Sequence, residues 1–186
     1  MPPKVKVTKE EIIQASLRLV RESGAQALNA RAIATILNCS TQPLFSNFAT
    51  MEELSMAVVE RADVLCNEYI KREIDSGKYP AYKASGMAYI RFAQEERELF
   101  KLLYMRDRKG EVIPEDAGLT DEMETMVKDN TGLNGLEVKL FHLEMWAYVH
   151  GIATMFATGF LNLEWELVSK MITDAYQGLY KQYKME

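Results

Sequence analysis

The sequence predicts an all-α fold of about nine helices, with an N-terminal three-helix head and a C-terminal helical bundle. Three observations carry this. Apolar residues recur at three- and four-residue spacing, Ser, Thr and Asn caps with Gly stops punctuate the pattern, and strand-like alternation is nearly absent. At 186 residues the chain is long enough to bury a core without staples.

Thr8 and Glu11 form a capping box, behind which Ile12, Ile13, Ser16, Leu17, Leu19 and Val20 draw one stripe up to Gly24. Asn29 caps a short second helix, Ala30 to Leu37, whose Ile33, Ala34 and Leu37 point inward. Asn38 then stands where the chain must reverse, and after Gly, Asn best tolerates a left-handed backbone. Ser40 is expected to cap a third helix, Thr41 to Phe48, with Pro43 in its first turn, where a missing N–H costs nothing. A second capping box, Thr50 and Glu53, opens a long fourth helix whose Leu54, Val58, Val64 or Leu65, and Tyr69 run along one side to Gly77.

Tyr79-Pro80 starts a fifth helix to about Glu95, apolar nearly all round through Met87, Tyr89, Ile90 and Phe92. A sixth spans roughly Glu96 to Met105, and the charged stretch Arg106 to Leu119, with Gly110, Pro114 and Gly118, reads as a loop. Thr120 caps a seventh helix, while Asn134 and Asn162 are expected to cap the last two, ending near Gly159 and Tyr183. The predicted division is a helix-turn-helix domain at 1–50, a connecting helix at 51–76 and a ligand-binding and dimerisation domain at 77–186.

Two short helices joined by a tight turn, braced by one helix and followed by a long one, form a helix-turn-helix whose third helix can enter the major groove. Ser40, Thr41, Gln42, Phe45, Ser46 and Asn47 face outward to read base edges or meet phosphate, while Leu44 and Phe48, four apart, face the core. Net charge is −5, the wrong sign for a polyanion binder, but its distribution is uneven. Residues 1–50 carry Lys4, Lys6, Lys9, Arg18, Arg21 and Arg31 against only Glu10, Glu11 and Glu22. Lys6, Lys9 and Arg31 are therefore the expected phosphate contacts.

The segment NARAIATILNCSTQPLFSNFATMEEL, Asn29 to Leu54, resembles the TetR family of bacterial regulators. Ile33-Ala34, Leu44-Phe45, Phe48 and Thr50 to Leu54 stand in the family's register, and the resemblance covers roughly residues 8–70. The family usually has Tyr where Phe45 stands, Lys where Met51 stands and Gly where Asn38 stands, so two customary phosphate contacts are missing here. Trp146, His150 and Gly151 make a W-x-x-x-H-G pattern similar to the ligand-domain signature of one subgroup, extending the likeness to the C-terminal half. The resemblance implies a repressor that a small-molecule effector releases from an inverted-repeat operator in double-stranded DNA. A second reading is a module of the same fold, binding a small molecule or a protein, with weak or lost DNA binding.

Aromatics and methionines cluster from Met87 to Met105 and from Phe141 to Phe160. Tyr89, Phe92, Phe100, Tyr104, Trp146, His150 and Phe156 are the expected lining for a largely apolar or aromatic effector, with His150 equally readable as a packed core imidazole. The last two helices are expected to form a homodimer seam. Gly151, Thr154 and Thr158 supply small residues on one, and Val168, Met171, Ile172, Ala175 and Leu179 an apolar stripe on the other.

No enzyme is expected, because no nucleophile-base pair, Gly-rich phosphate loop or Glu-x-x-His motif occurs. No metal or other cofactor is expected either. His142 and His150 share one helix, eight residues and roughly 12 Å apart, too far for one ion. Two cysteines are too few for a disulfide framework, and both read as apolar packers, with a thiol switch at Cys39 as the other reading. Residues 1–9 have no apolar segment, and Met145–Leu163 is interrupted by His150, Asn162, two Gly and two Thr. A cytoplasmic protein without a membrane partner is expected.

Overall fold

The computed structural model describes residues 7–108 and 119–185. Among these it holds nine α-helices, one short 3-10 turn and no strand. The described chain divides into two units: residues 7–66 with 96–106, and 67–95 with 107–108 and 119–185.

In the first unit α1 spans Lys9–Ser23, and its start is the expected reciprocal cap. The Thr8 hydroxyl accepts from the Glu11 N–H, and the Thr8 N–H donates to the Glu11 carboxylate. A 3-10 turn, Ala25–Ala27, follows, which no apolar periodicity announced. Helix α2, Ala30–Ile36, is capped by Asn29, whose Oδ1 accepts from the Ala32 N–H at 2.9 Å. Asn38 takes φ +50°, the left-handed turn expected of it.

Helix α3 runs from Gln42 to Asn47 and differs at its entry. Its cap position falls on Thr41, already helical in backbone and with no side-chain cap bond, so Ser40 lies one residue too early to serve. Pro43 in the first turn takes over the task of setting the backbone. Helix α4, Met51–Asp75, starts with the Thr50 hydroxyl accepting from the Glu53 N–H, while the Glu53 carboxylate reaches past Thr50 to the Ala49 N–H. Its inward residues within this unit are Leu54, Val58, Ala62 and Cys66; Val64 is exposed and Leu65 only half-buried. Helix α6, Arg97–Tyr104, closes the unit with Leu99, Phe100, Leu102 and Leu103. Arg21 of α1 holds it by a two-pronged pair to Glu96, both arms at 2.8 Å.

The second unit is built on α5, Ala81–Glu95, against which α7 (Asp121–Thr131), α8 (Leu136–Thr158) and α9 (Trp165–Met185) pack. Residues buried on α5 include Ala84, Met87, Tyr89, Ile90 and Phe92, spread round the helix as its composition predicted. Gly86 faces α8, and a Cβ there would stand 3.4 Å from the Val149 side chain. Thr120 caps α7 through the Met123 N–H. The other two expected caps do not form. Gly135 starts α8 with positive φ while the Asn134 amide donates to Gly132, and α9 begins three residues after Asn162, whose Oδ1 accepts from Gln94. At Asn134 a bond within the turn engages the amide before the helix begins, whereas at Asn162 the side-chain oxygen is taken by Gln94 of α5.

Gly151, expected in the homodimer seam, is open in the single chain: among the described residues a Cβ there would meet no heavy atom within 4 Å. Val168 and Ile172 of α9 are buried inside the unit, leaving Leu167 exposed and Met171, Ala175 and Leu179 half-exposed. Among the described residues no helix is long and apolar enough to cross a membrane. Most of the expected loop lies outside the described residues.

Candidate nucleic-acid interface and ligand site

Helix α3 owes its two faces to a short alternation. Leu44 and Phe48 are buried, and between them Phe45 is 52% exposed with Gln42 and Ser46 beside it. Ser40 is exposed and Thr41 half-buried at the helix entry. The Ser46 hydroxyl donates to the Gln42 carbonyl at 3.0 Å, so its proton must turn outward before it can serve a phosphate. Arg31 is exposed on α2, and Met51 is half-buried at the start of α4.

Two expected contacts stand differently. Asn47 is half-buried, and its amide donates to the Pro43 carbonyl at 2.8 Å and to the Val7 carbonyl at 3.4 Å. Both its N–H groups are thus turned to backbone, away from the outer face. Lys9 is exposed, but its ammonium rests 4.7 Å over the Phe48 ring and 3.7 Å from Glu53. Lys6 lies outside the described residues.

In the second unit three of the aromatic residues picked from sequence meet. The Tyr89 hydroxyl lies 2.9 Å from His150 Nδ1, and the His150 ring stacks on Trp146 at 4.7 Å and 14°. One turn of α8 separates the indole and imidazole, which puts them on the same face, as their spacing required. Burial holds the His150 pKa below its ordinary value, favouring the neutral ring. Phe92 and Phe156 are fully buried, Phe92 edge-on to Tyr69 at 5.5 Å, so they are packed core beside this cluster. Phe100 and Tyr104 belong to the first unit, their rings tilted against each other with centroids 5.0 Å apart. There the Tyr104 hydroxyl lies 3.8 Å from Cys66, whose thiol burial pushes up to about 12, well away from reactivity.

Periodicity gave no sign of a second Tyr-His pair. The Tyr82 hydroxyl lies 3.1 Å from His142 Nδ1, within a cluster that includes Phe141 and Tyr176. The pairs Tyr82 with His142 and Tyr89 with His150 advance together, so α5 and α8 run in the same direction. Each partner lies about sixty positions away in sequence, at 60 and 61 residues, and only the tertiary fold could match them. No group of three or more potential metal ligands occurs among the described residues.

A helix-turn-helix head with an outward polar α3, joined in one chain to a separate all-helical unit carrying an aromatic-imidazole cluster, defines a two-part regulator of the kind the sequence suggested. Residues 82–174 match the family model described as the tetracyclin repressor-like C-terminal domain, and the chain belongs to that family of transcriptional regulators. The structure is similar to a protein of unknown function from Rhodococcus sp. RHA1, with TM-score 0.74 and 18% identity over 98% of each chain. It is also similar to a TetR-like transcriptional regulator from the same organism, with TM-score 0.69 and 18% identity over 96% of this chain and 98% of the other. At that identity these likenesses speak for the fold. No curated protein matches the sequence.

Proposed function

We propose that the chain is a ligand-responsive transcriptional repressor, in which residues 1–50 bind DNA, 51–76 connect, and 77–186 bind effector and dimerise. The observation that carries this is the α3 surface: Gln42, Phe45 and Ser46 outward, Leu44 and Phe48 locked inward. Gln can pair with an adenine edge and Phe45 can contact a thymine methyl. Arg31, Thr41, Ser40 and Lys9 supply phosphate contacts, the last by leaving its perch on Phe48.

Dimerisation through α8 and α9 is supported by a stripe along α8. Leu136, Leu140, Leu143, Ala147 and Thr158 are exposed, and Gly151 and Thr154 half-exposed, each three or four residues from the next. Two copies related by a two-fold axis present two α3 helices, so the operator is an inverted repeat. A largely apolar or aromatic effector at Tyr89, Trp146 and His150 favours the state of lower operator affinity. The protein works inside the cell and needs no cofactor or enzymatic step.

The second reading, a module with weak or lost DNA binding, is favoured by one observation: exposed Phe45 and half-buried Met51 offer no hydrogen-bond donor from their side chains. Selection of duplexes from a random-sequence pool by the full chain, followed by fluorescence anisotropy across a salt series, separates the two. The repressor recovers an inverted repeat and binds it with a log-linear salt dependence. Binding without sequence preference, or none, overturns it.

A further inference from the structure

Two of the four α3 side chains expected to read bases are engaged by the chain's own backbone. The Ser46 hydroxyl donates to the Gln42 carbonyl at 3.0 Å, and the Asn47 amide donates to the Pro43 and Val7 carbonyls. The other two, Gln42 and Phe45, are exposed, Phe45 by 52%. They stand three positions apart, on one side of α3 and opposite the buried Leu44 and Phe48. The reading surface therefore comes down to one amide and one phenyl ring.

A phenyl ring offers no hydrogen bond to a base edge, so it selects a base only by apolar contact. The base edges in the major groove present donors and acceptors, with one apolar group among them, the C5 methyl of thymine. Against the edge of adenine, guanine or cytosine the ring strips water from polar atoms and returns no bond to them. Cytosine carries a hydrogen at C5, and methylation there gives it the thymine methyl without altering its pairing with guanine. We propose that Phe45 is a specificity-determining residue for the C5 methyl of a pyrimidine, so that binding responds to cytosine methylation: 5-methylcytosine is accepted where unmodified cytosine is disfavoured. This deepens the DNA-binding reading above and rests on it.

The test changes the methyl alone, in the duplex that the full chain enriches from a random pool, with affinity read by fluorescence anisotropy at one fixed salt concentration. Thymine→uracil substitution, one position at a time, is expected to find a symmetry-related site in each half of the repeat where losing the methyl weakens binding about fourfold, the worth of one buried methyl group. With a cytosine-guanine pair placed at that site, 5-methylcytosine binds about fourfold more tightly than cytosine. Phe45→Ala binds the methylated and unmethylated members of each pair equally, and because the ring is half in solvent its thermal melt is that of the parent. Phe45→Leu, which keeps apolar surface, retains part of the preference. A methyl effect that persists in Phe45→Ala, or no position sensitive to the methyl, overturns the proposal, and a thymine effect without a 5-methylcytosine effect overturns the response to cytosine methylation. If the unaltered chain enriches no duplex, it is the DNA-binding reading that has failed.

Discussion

At the scale of single residues, α3 separates folding from recognition within seven positions. Phe48 is buried, and truncating it to Ala is expected to cost about 3–5 kcal/mol, seen as an early thermal melt by circular dichroism. Gln42 is exposed, so Gln42→Ala leaves the melt within about 0.5 kcal/mol while shifting the preferred duplex. Equal melts would mean that the faces of α3 are assigned the wrong way round. His150 predicts a pH effect. Because burial disfavours its charged form, the unfolded chain binds more protons just below the ordinary imidazole value near 6.5, and that part of the stability falls as pH drops through it. A His150→Phe variant is expected to show a flatter decline in melting temperature from pH 7.5 to about 5.5; an unchanged slope would contradict the assignment.

At the scale of elements, caps and turns show where local signals suffice. Thr8 with Glu11, Asn29 and Thr120 each bond the N–H that their spacing designates, because a capping bond needs only neighbours within three positions. Ser40, Asn134 and Asn162 carry the same side-chain chemistry but do not cap, since Pro43, Gly135 and the turn before α9 decide where those helices begin. Asn38 is the testable case. At φ +50° a Gly is accommodated without strain, so Asn38→Gly is expected to be neutral or stabilising by less than about 1 kcal/mol, and Asn38→Val to destabilise by about 1–2 kcal/mol. Chemical denaturation of the three proteins checks the order, and a valine variant as stable as the parent would remove the case for a left-handed turn there.

At the scale of the whole molecule, the α8 stripe is the feature that one copy leaves unused. Leu143 and Ala147 lie midway along it, both exposed. Burying two carboxylates at a two-fold seam places like charges opposite each other, which costs several kcal/mol without touching the chain's own core. Leu143→Glu/Ala147→Glu is therefore expected to run as a monomer by size exclusion with light scattering, with unchanged helix content and with loss of binding to the paired half-sites. A variant that stays dimeric would place the interface elsewhere. The sequence-derived seam needed one revision here: helical spacing grouped Val168 and Ile172 with Met171, Ala175 and Leu179, but the first two are consumed by the chain's own interior.

Helix number and order, the head's inward residues and the left-handed turn at Asn38 followed from sequence alone, because each depends on spacing within a few residues and on the intrinsic preferences of Asn, Gly, Pro and the cap formers. Which side of an amphipathic helix meets its own chain, which tyrosine finds which histidine, and that Asn47 turns to Val7 were decided only by the tertiary structure. Those outcomes join groups between 40 and 61 positions apart, and no local preference encodes a contact whose partner is brought up by packing.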